Sequence, residues 1–434
     1  MPAYRSGRWA GWLRYFDKNS GTLPYGLFYE LLEVLTKGGI SFDVDENLLS
    51  EIEGEKPEDV ILAFKGINKQ FKPREYQLQA LLKALKYKRG TIIHGTGSGK
   101  SFTISLISNY FLHKSVKNHI LIVVPNTSLI KQTKAFFIEY GIPEKAIGLY
   151  YGEEKELKPI TIATWQSIRK NKKYLNDVNV LLFDECHGTR ADEIKSVTTN
   201  CINANFRIGF TGSLPENECD RMTIAGNFGP ILHEITANEL IQQEILSPID
   251  VRIITVNYPE DVIKKRRNYQ EEMKFIEEDE LRLRYAERII KKSFNSNENM
   301  LLLFLKRKHG KMIFDNFVKW FSDKKIHYID GTKAVDEREQ IRQIVKGSGN
   351  NIIIASYGTF AMGIDLPRLH HIILMVGGKA QIRLIQSIGR GLRKHEMKEK
   401  LIFWDLASDL KYEKDHLLER IKIYSSQNFT FKII

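Results

Sequence analysis

A glycine-rich segment that ends in lysine and serine, residues 95–101 (GTGSGKS), is the clearest candidate for chemistry in the sequence. It lies between an apolar run at residues 91–93 and a run with the apolar spacing of a helix at residues 102–107. Glycines allow backbone N–H groups to turn toward phosphate oxygens, and the start of a helix adds the positive end of its dipole. The segment therefore predicts a P-loop that binds the phosphates of ATP.

The last two residues of this segment have individual expected roles. Lys100 is placed to reach the β- and γ-phosphates, and the Ser101 hydroxyl to ligate Mg²⁺. The strict pattern has glycine where this sequence has His94, so a glycine-rich structural turn is the alternative interpretation of the segment alone. The predicted nucleotide-binding residues of the loop are Gly95, Thr96, Gly97, Ser98, Gly99, Lys100 and Ser101.

A second candidate is the acidic end of an apolar run, where residues 181–183 are followed by Asp184, Glu185, Cys186 and His187. Ligands of doubly wound sheets bind at the carboxyl ends of the strands, so these carboxylates are expected to face the P-loop. Asp184 would hold Mg²⁺ through water, and Glu185 would orient and deprotonate the attacking water. An ordinary acidic strand end explains the residues equally well on their own, but the P-loop upstream favours hydrolysis.

Two domains of alternating strands and helices are needed to position these residues. Apolar runs at residues 90–93, 120–124, 160–163, 180–183 and 206–210 alternate with helical stretches, and the same alternation recurs at residues 251–256, 300–305, 326–329, 351–355, 372–375 and 400–404. This alternation is typical of parallel sheets covered by helices. The sequence predicts an α/β fold with a small N-terminal α/β accessory domain (residues 1–70), an ATP-binding domain (71–248) and a C-terminal domain (249–434).

The order of several motifs resembles that of superfamily 2 helicases, whose DExH box is similar to residues 184–187. The resemblance covers roughly residues 71–404 and implies two tandem RecA-like domains. It implies that Arg74 and Gln77 recognise adenine, with Tyr76 nearby, and that His187 belongs to the catalytic set. Further motifs imply coupling of hydrolysis to movement by Thr211, Gly212 and Ser213, nucleotide contacts by Gly363 and Asp365, and catalytic roles for Gln386, Arg390 and Arg393.

Arg390 and Arg393 are three residues apart, so on a helix they share one face. Guanidinium groups there can stabilise charge on a transferring phosphoryl group, which is the role of arginine fingers. The resemblance also implies contacts with the nucleic-acid backbone, which would carry no sequence information. The residues expected to make these contacts are Pro125, Asn126, Thr164, Lys306, Ser356 and Thr359. A solvated loop explains the basic run at Lys306 equally well, and a surface cluster is the favoured interpretation of residues 264–267.

Composition agrees with a nucleic-acid partner. The 434 residues carry a formal net charge of +12, with a pI near 9.2, which favours polyanions. There is no apolar run of transmembrane length and no secretory signal, and the three cysteines lack zinc-ligand spacing, so we expect a cytoplasmic protein with no membrane partner. The N-terminal aromatic residues Trp9, Trp12, Tyr15 and Phe16 are expected to form the core of the accessory domain.

A closer resemblance, to phage helicases of the UvsW type, rests on the N-terminal segment (residues 8–11 and 23–27), the compact core and the C-terminal helix region. It implies an ATP- and Mg²⁺-dependent DNA helicase, expected to act as a monomer, that remodels forks and junctions in replication, recombination or repair in the cytoplasm of a bacterial host. The residues leave open an RNA helicase, a restriction-type translocase subunit and an ATP-gated clamp or annealing protein that does not unwind. The complete catalytic set argues against the clamp.

Overall fold

The computed structural model describes residues 14–46, 48, 57–115, 117–188, 191–215, 217–333, 335–361, 366, 368–376, 388–389 and 391–434. The chain divides into two compact units, one comprising residues up to His94 with Gly99–Ile235 and the other Gly95–Ser98 with Thr236–Ile434. In the part of the chain that is described, no helix is long and apolar enough to cross a membrane.

The first unit contains an eight-stranded sheet in the order β4-β3-β5-β2-β6-β7-β1-β8, in which only β3 and β4 pair antiparallel. Its strands are β1 (Arg89–His94), β2 (Ile120–Val124), β3 (Ile147–Tyr151), β4 (Glu154–Lys155), β5 (Ile160–Thr164), β6 (Val180–Phe183), β7 (Phe206–Thr211) and β8 (Ile231–Ile235). Its helices are α1 (Phe28–Lys37), α2 (Glu75–Tyr87), α3 (Lys100–Lys114), α4 (Thr127–Tyr140), α5 (Trp165–Ile168), α6 (Lys172–Asp177), α7 (Ala191–Thr198) and α8 (Glu218–Phe228).

Both faces of this sheet are buried along its central strands. Along β2, Ile120 and Ile122 pack into one apolar cluster, whereas Leu121 and Val123 pack into another. Successive side chains of a strand point to opposite faces, so a strand covered on both sides is mostly apolar. This burial explains why the central strands are continuous apolar runs in the sequence.

The second unit contains a seven-stranded, all-parallel sheet in the order β11-β12-β10-β13-β14-β9-β15. Its strands are β9 (Ile249–Val256), β10 (Asn299–Phe304), β11 (Lys325–Ile329), β12 (Asn351–Ser356), β13 (His371–Leu374), β14 (Leu401–Ser408) and β15 (Phe431–Ile433). Its helices are α9 (Ala237–Gln242), α10 (Glu260–Lys264), α11 (Tyr269–Glu278), α12 (Glu280–Ser293), α13 (Arg307–Trp320), α14 (Val335–Gly347), α15 (Tyr357–Ala361) and α16 (Lys411–Ser426). The predicted α/β class with two parallel-sheet domains is confirmed.

The described part of the first seventy residues packs on the first unit. The Tyr15 hydroxyl donates to the Cys219 carbonyl at 2.8 Å and lies 2.9 Å from the Thr223 hydroxyl, both on α8. A Cβ added at Gly26 would lie 1.8 Å from the Ala225 carbonyl oxygen, so only glycine fits this contact. Trp9 and Trp12 lie outside the described residues. An accessory domain spanning residues 1–70, and the domain boundary at residue 248, remain predictions.

Candidate active site

The P-loop residues form a turn between β1 and α3. Gly97 and Gly99 have positive φ angles of 88° and 79°, a backbone region that favours glycine. The Ser98 N–H donates to the Gly95 carbonyl at 3.1 Å, and Lys100 is the first residue of α3. This turn before a helix start is the arrangement that can bind phosphate oxygens through backbone N–H groups.

The residues expected at the adenine lie against this turn. The Gln77 side chain is only 3% exposed, and its Nε2 donates to the Gly99 carbonyl at 3.4 Å. Its Oε1 accepts from the Arg74 backbone N–H at 2.9 Å, at the start of α2. The Tyr76 ring is buried edge-on against His94, and the Arg74 guanidinium lies 3.4 Å from the Tyr76 hydroxyl. Arg74, Tyr76 and Gln77 are therefore assembled beside the P-loop, and base recognition remains a prediction.

The acidic pair at the end of β6 reaches the P-loop lysine. Glu185 Oε1 lies 3.0 Å from Lys100 Nζ, with side chains 21% and 11% exposed. Glu185 has a φ of 52°, and its N–H donates to Asp184 Oδ1 at 3.0 Å. A non-glycine residue in this left-handed conformation is strained, and such strain is concentrated at functional sites. The local backbone therefore directs Glu185 toward Lys100.

His187 links this carboxylate to the predicted coupling motif. Its Nδ1 lies 3.3 Å from Glu185 Oε2 and 2.5 Å from the Thr211 hydroxyl, which in turn donates to the Ser213 carbonyl at 2.7 Å. Burial lowers the pKa of His187, although the neighbouring Glu185 carboxylate opposes this effect. A neutral His187 at pH 7 can therefore connect Glu185 with the segment that begins at Thr211.

The residue that departs from the strict P-loop pattern has a buried partner that the sequence did not predict. His94 Nε2 lies 3.0 Å from His233 Nδ1 on β8, and His233 Nε2 lies 3.4 Å from Gln79 Oε1 on α2. Burial, with smaller contributions from His233 and Lys100, lowers the pKa of His94 to about 3. The partners are 139 positions apart in sequence, so no local pattern could have revealed the pair.

The donors available for a divalent cation suit Mg²⁺. Ser101 lies on the first turn of α3 and offers a hydroxyl oxygen, and Asp184 follows β6 and offers a carboxylate. Mg²⁺ prefers such oxygen ligands and keeps several water ligands. No cluster of three or more His, Cys, Asp or Glu side chains that could hold a metal ion occurs within the described ranges. The Ser101 hydroxyl and the Asp184 carboxylate are oxygen donors that fit a Mg²⁺ ion.

In the second unit, the structure describes only part of the predicted nucleotide set. Gly363, Asp365, Gln386 and Arg390 lie outside the described residues. Arg393 is half-buried and forms an isolated antiparallel bridge with Leu246. Its role as an arginine finger remains a prediction.

The residues predicted to contact nucleic acid lie at or shortly after the ends of strands, and Asn126 caps a helix. Asn126, which follows Pro125, accepts the Leu129 N–H at 3.0 Å at the start of α4, and Thr164 is the residue before α5. In the second unit, the Ser356 and Thr359 hydroxyls lie 2.6 Å apart at the start of α15. These contacts explain the residue types locally, and contact with nucleic acid remains a prediction.

The basic run that follows β10 is compensated by carboxylates. Lys306 pairs with Glu277 and Lys308 with Glu278, each at 3.0 Å, and Arg307 pairs with Asp330 at 3.0 Å. The Lys306 side chain is nevertheless 61% exposed, so its ammonium group remains accessible to a phosphate. A pair this exposed contributes little to stability and can exchange partners.

Comparison with known proteins gives the class of the protein. The family model "Type III restriction enzyme, res subunit" matches residues 70–216, and "Helicase conserved C-terminal domain" matches residues 282–395. Dbp5 of Saccharomyces cerevisiae, solved bound to RNA and ADP BeF3, has the same fold, with a TM-score of 0.58 at 15% identity, covering 84% of this chain and 90% of that one. Together the two matched models indicate a superfamily 2 helicase, which is an ATP-dependent enzyme.

Among curated proteins, the chain is similar over almost its full length to the ATP-dependent DNA helicase uvsW of Enterobacteria phage T4. The two are 29% identical over 460 residues, which cover 99% of this chain and 91% of the phage protein. It is also 25% identical over 388 residues to the DNA 3'-5' translocase XPB2 of Sulfurisphaera tokodaii, covering 81% of this chain and 86% of that protein. The predicted resemblance to the UvsW type is thereby confirmed.

Proposed function

We propose that this protein is an ATP- and Mg²⁺-dependent DNA helicase that unwinds and remodels branched DNA such as forks and four-way junctions. The observation that carries the ATPase is the 3.0 Å contact between Lys100 and Glu185, which joins the phosphate-binding turn to the end of β6. Similarity to the T4 DNA helicase over 99% of the chain supports DNA as the substrate. We further propose that it acts as a monomer in the cytoplasm of a phage-infected bacterium.

Each residue of the proposed catalytic set has its own role in hydrolysis. Lys100 exchanges its Glu185 partner for the β- and γ-phosphates, and Glu185 then orients the attacking water and accepts its proton. Ser101 would hold Mg²⁺ directly and Asp184 would hold it through water, and the bound ion would supply neutralisation of phosphate charge. Arg390 and Arg393 stabilise the charge that develops on the transferring phosphoryl group.

Coupling to movement begins at the same carboxylate. Glu185 contacts His187, and His187 contacts Thr211, the first residue of the coupling motif with Gly212 and Ser213. A change in the charge or position of Glu185 during hydrolysis therefore alters the hydrogen bonding of Thr211. We propose that this chain of contacts transmits the nucleotide state to the segment after β7.

The function is tested by measuring ATPase rates with single-stranded DNA, duplex DNA, a synthetic fork, a four-way junction and RNA at matched phosphate concentrations. Unwinding of the fork and junction is followed in parallel, and the Lys100→Ala variant serves as the control without turnover. The greatest stimulation by forks or junctions, with unwinding, is the expected result. Greater stimulation by RNA favours an RNA helicase, and nucleic-acid binding without strand separation favours a clamp or annealing protein.

A further inference from the structure

A buried ammonium group holds the backbone on both sides of Leu392. Lys398 is only 6% exposed, and its Nζ donates to the Gly391 carbonyl at 2.8 Å and also to the Arg393 carbonyl. Leu392 N–H donates to the Ile388 carbonyl, so a helical turn ends here and leaves carbonyls without helical partners. A lysine near the end of a helix can satisfy such carbonyls, and a buried ammonium needs partners of this kind.

Other contacts fix the same stretch of backbone. The Leu392 carbonyl accepts from the Ser247 N–H at 2.7 Å, and the Leu392 side chain is fully buried. A Cβ added at Gly391 would lie 2.8 Å from a methyl of Ile372 and 2.9 Å from one of Leu401, so the backbone lies directly on β13 and β14. The main chain before Arg393 is therefore seated on the sheet, and the carbonyl of Arg393 itself is held by Lys398.

Lys398 is itself anchored to the sheet. Its N–H donates to the His395 carbonyl at 2.9 Å, and the two residues form an antiparallel bridge. The neighbouring Met397 carbonyl accepts from His370 Nε2 at 2.7 Å, and His370 Nδ1 accepts from the Asn299 N–H at 3.0 Å. The turn that carries Lys398 is thus fixed to the start of β10. The Lys398 ammonium group therefore cannot simply follow a movement of Arg393.

From these contacts we infer that Lys398 is a positioning residue for Arg393, and that it raises the rate of ATP hydrolysis by fixing the backbone from which that guanidinium projects. The inference rests on the proposed function of Arg393 as an arginine finger. Lys398 acts through main-chain carbonyls and is not assigned a contact with ATP. A misplacement of a catalytic group by about 1 Å can lower a rate about 100-fold, so a loss of the two hydrogen bonds is expected to be visible in kcat.

The test is steady-state ATPase of the full chain with saturating fork DNA. Lys398→Met keeps the length and the apolar stem of the side chain but removes the hydrogen-bond donor. Lys400→Met is the matched control, because the Lys400 side chain is 51% exposed and its ammonium group makes only a long, 4.0 Å ion pair with Asp250. We expect Lys398→Met to lower kcat about 10- to 100-fold while KM for ATP stays within about twofold, and Lys400→Met to match the parent. Rates are expressed per nucleotide-binding site, determined by titration, so that loss of folded protein does not alter kcat.

A double-mutant cycle separates positioning from general packing. If Lys398 acts through Arg393, adding Lys398→Met to an Arg393→Ala variant lowers kcat by no more than about twofold further, whereas independent effects multiply. An unchanged kcat in Lys398→Met, or multiplicative effects in the cycle, overturns the inference. Should Lys398→Met fail to fold, Lys398→Gln takes its place, because its shorter polar side chain cannot reach both carbonyls, and the same outcomes apply.

Failure of the underlying function gives a different result. If Arg393→Ala alone leaves kcat unchanged, Arg393 is no arginine finger, and the inference about Lys398 is overturned with it. If Arg393→Ala lowers kcat and Lys398→Met does not, only the positioning role is overturned. The combination that supports the inference is a lower kcat in both single variants, an unchanged KM in Lys398→Met and non-additivity in the double variant.

Discussion

Replacing Glu185 with glutamine should make the enzyme bind ATP more tightly while it hydrolyses ATP more slowly. In the structure the Glu185 carboxylate pairs with Lys100 Nζ at 3.0 Å, so the phosphates must displace this carboxylate before they contact the ammonium group. Glutamine retains the shape of the side chain but removes its negative charge. It therefore removes both the competitor for Lys100 and the base that accepts a proton from water.

The burial of the pair sets the size of the effect on affinity. Exposed ion pairs contribute about 0–1 kcal/mol, whereas hydrogen bonds to charged groups contribute about 1.5–3 kcal/mol. The Lys100 and Glu185 side chains are 11% and 21% exposed, so we assign their ion pair a free energy of about 1.5 kcal/mol. Removing this competing pair corresponds to an approximately tenfold lower Kd for ATP. Loss of a general base typically lowers a rate about 10²- to 10⁴-fold, so kcat should fall by far more than Kd.

Affinity is measured by titrating a fluorescent, non-hydrolysable ATP analogue at fixed Mg²⁺ concentration, and turnover by phosphate release with fork DNA. Glu153→Gln is the matched control, because it removes the same charge from an exposed position of the first unit. An equal or higher Kd for Glu185→Gln relative to the parent would refute the competition between carboxylate and phosphate. A retained kcat would remove Glu185 as the base.

Three further perturbations follow from buried contacts. The fully buried Arg420 guanidinium contacts the two Asp405 carboxylate oxygens at 2.8 and 2.9 Å. Asp405→Asn removes the negative charge of this pair and should lower the free energy of unfolding by about 3–5 kcal/mol. An unchanged midpoint of urea unfolding would contradict this expectation. Gly26→Ala would place a methyl on the Ala225 carbonyl and should expose the N-terminal segment to limited proteolysis, so an unaltered cleavage rate would argue against that packing. In the folded protein the pKa of His94 is about 3, whereas its ordinary value is 6.5. Below pH 6.5 the unfolded chain therefore binds a proton at His94 that the folded chain does not. The stabilisation from neutral His94 is fully present above pH 6.5, and about 1.4 kcal/mol of it is lost for each pH unit as the pH falls toward 3. In urea unfolding, the free energy of unfolding of His94→Asn should fall less between pH 6.5 and 5 than that of the parent. An identical pH dependence of the two proteins would exclude the effect of His94.

The strands that could be predicted from the sequence are those buried on both faces. Runs such as residues 120–124 and 180–183 contain only apolar residues, because helices cover both sides of the parallel sheet. Strand β8 (Ile231–Ile235) escaped prediction because it includes His233 and Glu234, and β15 because its residues are exposed. Edge and near-edge strands lack the uniform burial that produces a recognisable run.

The candidate active-site residues could be named from the sequence where they belong to recognisable motifs, and their roles remain predictions. Lys100, Glu185 and His187 lie together because the strands that precede them, β1 and β6, are separated only by β7 and end at the same edge of the sheet. Lys398 could not be assigned in the same way. A lysine that donates hydrogen bonds to two main-chain carbonyls has no sequence signature. These carbonyls need a donor only because the helical turn ends where it packs on the sheet.

The departure of this P-loop from the strict pattern has an explanation in the packing around β1. The His94 side chain is fully buried, edge-on to the Tyr76 ring, with its Nε2 against His233 Nδ1. A neutral imidazole is favoured there because burial opposes its protonation, so His94 places no positive charge in the core beside Lys100. The phosphate-binding turn begins only after His94, and the positive φ angles that it needs fall at Gly97 and Gly99. A bulky residue is therefore accommodated by its partners on α2 and β8 without changing the part of the loop that would hold phosphate.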